Sequence, residues 1–275
     1  MARSSVELPV GPLGIRLFIG YRAPAFTVQP GDDEVTRNKK RTDFFNELGG
    51  AFMPGTPVMQ APLGLGAYVP AVLDTEPGSG LPDEVAAIVY ASRAIYDRFR
   101  ETSLSRRIYT RSHVAVFDMA RSVAQFPQPL SSPTVVHVNG SAHHFTFLAP
   151  DAQVDWQAGS VRVVFLTTAS PGAAFQADML QRLGASAAAA AAAGIDQVLM
   201  LSGDGFAALW FHSETSVADS PQRLDLVPAG ATVMRNFEAV HIPVTGDSSP
   251  GVPVIDAMAI TFRFERKLDL FIPPQ

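Results

Sequence analysis

A chain of 275 residues holds one large domain or two of about 130, near the commonest domain size, and either buries a substantial core. At 47% hydrophobic and 17% charged it is apolar-rich against the roughly 25% charged that is usual, which excludes a disordered chain and points to surface buried between repeats or subunits. The net charge of −5 argues against nucleic acid as a partner, and the absence of cysteine excludes disulfides, thiolate metal sites and cysteine nucleophiles.

Residues 1–14, broken by Pro9, Gly11, Pro12 and Gly14, read as an irregular arm without the apolar core of a signal peptide, so the expected location is the cytoplasm. A first strand follows at 15–21. Helix formers run from Glu34 to Leu48, with Phe44, Phe45 and Leu48 as the apolar stripe and Gly49-Gly50 as the stop. Residues 51–65, with Pro54, Pro57 and Pro62, read as a loop. A second strand at 66–74 contains Pro70, which donates nothing to a ladder, so it belongs at an edge or a bulge. The strand at 84–92 comes next, then a helix capped by Ser92 with Ile95 and Phe99 as its apolar pair, then a strand at 113–119. Arg93, Arg98, Arg100, Arg106, Arg107 and Arg111 crowd this region. They form either a solvated helix face or a surface for an anionic ligand.

Asn139-Gly140 between β-rich runs predicts a tight hairpin, with Val138 opposite Ser141 and Val135 opposite His144. In that register His137 and His144 are diagonal neighbours on one face and His143 points to the other. Two histidines without an obvious third ligand read as an exposed hairpin, and no metal is assigned. A linker at 149–159 leads to a strand at 161–167. Ser170-Pro171 reads as a helix start, the helix running through Phe175, Met179 and Leu183 and along seven alanines to Gly194. Strand, turn and strand follow at 197–212, and a last strand at 257–265. The longest apolar run, at 185–193, is too short for a membrane span, so no membrane partner is expected.

The chain repeats itself. Glu84-Val85-Ala86-Ala87-Ile88-Val89-Tyr90-Ala91-Ser92 returns as Gly205-Phe206-Ala207-Ala208-Leu209-Trp210-Phe211-His212-Ser213. Asp43 to Gly49 is echoed by Asp178 to Gly184, and Ile15-Arg16-Leu17 by Val161-Arg162-Val163. The expected class is therefore α+β, with two tandem ferredoxin-like β-α-β-β-α-β units, 1–148 and 149–275, packed sheet to sheet. On these residues the chain resembles the dimeric α/β-barrel superfamily, which includes antibiotic-biosynthesis-monooxygenase-like proteins, in the form of a fused pseudo-dimer. The resemblance implies a small-molecule pocket between sheet and helices. The implied chemistries range over cofactor-independent oxygenation, cyclisation and decarboxylation, and the cofactor stays unknown.

In one copy only, Trp210 and His212 replace Val89 and Ala91, which suggests a pocket furnished in the second half. The alternative is a strand whose terminal histidine is satisfied by backbone. On the last strand Thr261, Arg263 and Glu265 share a face, and Arg263 offers paired donors for an acidic group, with Glu265 as its competing partner. His212 and Arg263 are thus the candidate catalytic residues, and Trp210 and Thr261 the candidate substrate contacts. Tyr109 and His113, four apart, form a weaker pair. The expected protein binds an aromatic or acidic metabolite, as an enzyme or as a non-catalytic interaction module with a filled barrel. It is expected as a monomer or a homodimer. No nucleophile elbow, dinucleotide fingerprint, phosphate loop or zinc-protease motif is present.

Overall fold

Strand β1 (Gly14–Gly20) lies between β3 (Glu84–Tyr90) and β4 (Val123–Gln125), and β2 (Leu65–Val72) flanks β3. The order β2-β3-β1-β4 is antiparallel throughout. In the second half β8 (Ser160–Thr168), β9 (Gln197–Ser202), β10 (Phe206–Ser213) and β11 (Ala231–Glu238) take the corresponding order, β11-β8-β10-β9, again antiparallel. The computed structural model describes residues 14–60, 63–76, 78–149, 154–156, 158–214, 224–244 and 262–266, with backbone alone for 240–244 and 262–266.

Alternation along the strands gives each sheet two apolar faces. One face of each meets the other sheet: Leu17, Val69 and Ala87 from the first half pack with Val163, Leu201 and Trp210 from the second, all buried. Each Leu or Val side chain of this face removed from water contributes roughly 1.5–3 kcal/mol, so this shared face is what joins the halves. The opposite faces carry helices. On the first sheet these are α1 (Glu34–Glu47), a π-helical turn (Leu48–Phe52), α2 (Met53–Gln60), α3 (Arg93–Arg100) and α4 (Leu104–Val116). On the second they are α5 (Ala173–Ala185) and the short α6 (Ala187–Ala192).

The hairpin of β6 (Thr134–Val138) and β7 (Ser141–Leu148) has the expected register, with Asn139 and Gly140 at φ 50° and 85°. It hydrogen-bonds through β7 to β9, extending the second sheet, and β5 (Gln128–Pro129) adds a short parallel pairing on β7. Strand β12 (Val240–Val244) pairs in parallel with β13 (Phe262–Arg266), which lies beside β2. Pro70 sits where proline is tolerated, since β2 ends its sheet and its register shifts between Leu65 and Ala67.

Three local expectations are corrected. Residues 113–119 are not a strand, because α4 runs through Val116. Tyr109 and Val116 bury at helical spacing, Val114 points to solvent, and Ser103 caps the start by accepting from the Arg106 amide. The supposed loop at 51–65 contains α2: the glycine pair continues as a π-helical turn, and Pro54 falls in the first turn of α2, where its missing amide costs little. The helix after Ser170-Pro171 starts on Gly172, at φ 137°, and breaks at Ser186, whose hydroxyl turns back to the Leu183 carbonyl. Six of the seven alanines, Ala187–Ala192, therefore form a separate short helix.

Candidate functional site

Trp210 and His212 lie on β10, both fully enclosed. The Trp210 indole is in the face shared by the two sheets and donates its Nε1 hydrogen to the Val69 carbonyl at 3.1 Å. His212 has an acceptor on each ring nitrogen, Asp196 Oδ2 at 3.0 Å from Nδ1 and the Ala158 carbonyl at 3.0 Å from Nε2, with the Trp156 ring 5.3 Å away. Gly159 at φ +65° closes the segment over it, and a side chain there would strike the Ser213 carbonyl. The imidazole thus ties the 154–159 segment to β9 and β10. Arg263 is on the backbone of β13, in register with His241, and Thr261 lies outside the described residues.

Polar side chains instead gather on the helix side of the first sheet. Alternation on β1 puts Arg16 with Phe18 on that side, under α3 and α4. Its Nη1 donates to the Tyr96 hydroxyl at 2.6 Å and its Nη2 to the Ala124 carbonyl at 2.9 Å, with its plane near the rings of Tyr96 and Phe126. Its Nε is buried without a partner, and among the described residues no carboxylate pairs with it. A guanidinium held this way has its geometry fixed and its charge uncompensated.

Arg16, Gln60, Tyr90, Tyr96, Tyr109 and His113 wall a cavity of about 140 Å³. That is close to the roughly 150 Å³ at which a protein cavity holds a single benzene ring. Tyr90 and Tyr96 face each other at 4.7 Å, and the Tyr90 hydroxyl reaches Gln60 Oε1 at 3.4 Å. His113 donates from Nδ1 to the Tyr109 carbonyl at 2.7 Å, one turn back on α4, which leaves Nε2 as the ring's acceptor. Burial among Phe18, Phe52 and Phe117 brings its pKa down to about 4, so the ring is neutral at pH 7.

From this wall a hydrogen-bonded row runs inward. The Tyr109 hydroxyl meets Thr56 Oγ1 at 2.8 Å, Thr56 is hydrogen-bonded in turn to Tyr68, and Tyr68 donates to Glu84 Oε1 at 2.6 Å. Glu84 is 0% exposed, and its second oxygen has no partner. Burial pushes its carboxyl up to about 7, against the opposing pull of the Tyr68 hydrogen bond, so it exchanges a proton near neutral pH. Burial also raises the phenols of Tyr68, Tyr90 and Tyr109, which stay protonated. Of these residues the sequence offers only Tyr109 and His113 as a pair, through their i,i+4 spacing. Glu84 stands where the matched strand of the second half has Gly205, a difference as visible as Trp210 for Val89.

No protein-family model matches the chain, and no curated protein does. Among solved structures it is similar to a protein from Lactobacillus acidophilus NCFM provisionally named a monooxygenase, at 8% identity and TM-score 0.37 over 82% of this chain and 93% of that one. A second similarity is to an anthrone oxidase-like protein, at 13% identity and TM-score 0.33 over 83% and 94%. At those scores neither likeness carries an argument about activity.

Proposed function

We propose that the chain is a tandem ferredoxin-like protein of the dimeric α/β-barrel kind that binds a one-ring aromatic acid beneath α3 and α4. The observation that carries the reading is Arg16: a half-buried cation without a carboxylate partner, set among aromatic rings in a cavity of one-ring size. A ligand carboxylate or phenolate supplies the missing charge, while Tyr90 and Tyr96 supply ring contacts. In the enzymatic form of this reading a ring hydroxyl of the ligand gives its proton to the Tyr109 oxygen. The Tyr109 proton passes to Thr56, whose own hydrogen turns from the Phe52 carbonyl to Tyr68, and that of Tyr68 passes to Glu84, whose carboxyl ends neutral. A phenolate formed this way is the starting point for cofactor-independent reaction with dioxygen.

Titration calorimetry with benzoate and 4-hydroxybenzoate tests the binding. Arg16→Gln is expected to weaken both at least tenfold, and Arg162→Gln, its counterpart on β8, to change neither. If the folded wild type binds neither acid, the reading fails. Ultraviolet difference spectra of bound 4-hydroxybenzoate test the proton path, since Glu84→Gln should keep the binding and lose the phenolate band. The non-catalytic alternative is favoured by the space between the sheets, which side chains fill. Binding with no phenolate band in the wild type would decide for it.

A further inference from the structure

A cavity of about 280 Å³ lies on the seam between the halves and is separate from the pocket under α3 and α4. The first half supplies Tyr21, just beyond β1, the turn around Gly80 and Arg121. The β6–β7 hairpin, which extends the second sheet, brings Ser141 and His143, and the second half supplies the β9–β10 turn at Asp204 followed by Phe206. A volume just under the roughly 300–1,000 Å³ of sites for drug-sized ligands suits a small metabolite.

The polar side chains here are unusual in lacking partners. Among the described residues Arg121 is in no ion pair, its guanidinium lying instead over the Tyr21 ring at 4.2 Å. Asp204 is in none either, although its carboxylate acts on Tyr21, His143 and His144. Burial carries the Tyr21 phenol up to about 12, with Arg121 pulling it down and Asp83 and Asp204 adding to the rise. His143 is 4% exposed and its Nδ1 has no partner. Gly203 keeps this wall in place, since a Cβ there would meet the Phe206 ring at 2.5 Å and His143 Nδ1 at 3.0 Å.

A cation and an anion on one small cleft that leave each other unpaired are complementary to a ligand carrying both charges. We propose that the seam cleft binds a small zwitterion of the α-amino-acid type, its carboxylate on Arg121, its ammonium on Asp204 and its apolar side chain against Leu81 and Phe206. His143 adds a hydrogen-bonding wall between the two ends.

Titration calorimetry on the full chain tests this with L-phenylalanine and its two half-ligands, 3-phenylpropionate and 2-phenylethylamine. L-Phenylalanine is expected to bind at least tenfold tighter than either half. Arg121→Gln should reduce it to the level of the amine, Asp204→Asn to the level of the acid, and Arg98→Ala, on the exposed face of α3, should change nothing. The inference is overturned if L-phenylalanine, L-leucine and glycine all fail to bind the wild type. It is equally overturned if both seam variants, with unchanged circular dichroism, bind as wild type does. Should a variant not fold, the half-ligand comparison on the wild type decides alone: equal affinity for zwitterion and halves counts against the site.

Discussion

Arg16 and Arg162 open the same apolar-Arg-apolar strand in the two halves, on the helix side of their sheets, and they end in different places. Arg16 lies beneath α3 and α4, bonded to Tyr96 and Ala124. Arg162 reaches Asn236 Oδ1 at 2.8 Å on an exposed surface. In the first half two helices, α3 and α4, roof this side of the sheet. Under the roof the first sheet keeps Glu84, Tyr68 and Gln60 buried, while the helix side of the second is lined by Leu166, Met179, Leu183 and Phe211. The first sheet thus holds buried polar side chains on its helix side where the second packs apolar ones.

The comparison breaks most visibly at the shared face. Trp210→Ala should cost about 3–5 kcal/mol in urea melts, a large cavity plus the bond to Val69, whereas Val89→Ala, at the matched half-buried position, should cost about 1 kcal/mol. Equal losses would mean the halves share their core evenly.

Next in size are two opposed pH effects in the first half, each roughly 3 kcal/mol. Glu84, with its carboxyl raised to about 7, favours the folded state below pH 4.5 and loses that contribution as pH rises through 7. His113, lowered to about 4, favours folding above pH 6.5 and loses it as pH falls through 4. Over pH 4.5–6.5 they largely cancel. Glu84→Gln should therefore leave stability rising with pH across that window, and His113→Gln should leave it falling. Identical wild-type and variant slopes would discard both assignments.

Thr56→Val strands the Tyr109 hydroxyl in the interior and should cost about 1–3 kcal/mol, read as a shift in melting temperature. At the small end, Arg162→Gln, at an exposed bond to Asn236, should stay within about 0.5 kcal/mol, and a larger loss would show that Arg162 is as well held as Arg16.

Much of the architecture was legible where local chemistry dictates geometry. Asn139-Gly140 set the hairpin register, and alternation placed Trp210 and Leu209 on opposite faces of β10 as found. Helix α4 was misread because Val114, Val116 and Phe117 mimic a strand when its buried stripe is begun too late, and β4, three residues long, carries too little pattern to be seen. The pocket was hidden for a different reason. Arg16, Gln60, Tyr90 and Tyr109 come from four elements far apart in the chain, and only the packing of α2 and α4 on the sheet brings them together. Trp210, singled out because the first half has Val89 at the matched position, packs in the inter-sheet core with its indole bonded to Val69.

The hydrogen bond from Trp210 to Val69 joins residues 141 positions apart, and the face it crosses is completed only by strands from the second half. During synthesis the first sheet therefore emerges with Leu17, Val69 and Ala87 uncovered, and at about 5–20 residues per second it waits several seconds for β8 to β10. So long a closure makes folding slow for the chain's size and leaves a nascent apolar sheet open to other chains or to a chaperone. A fragment ending at residue 148 should for the same reason be found in aggregates, and the full chain should fold as one cooperative unit.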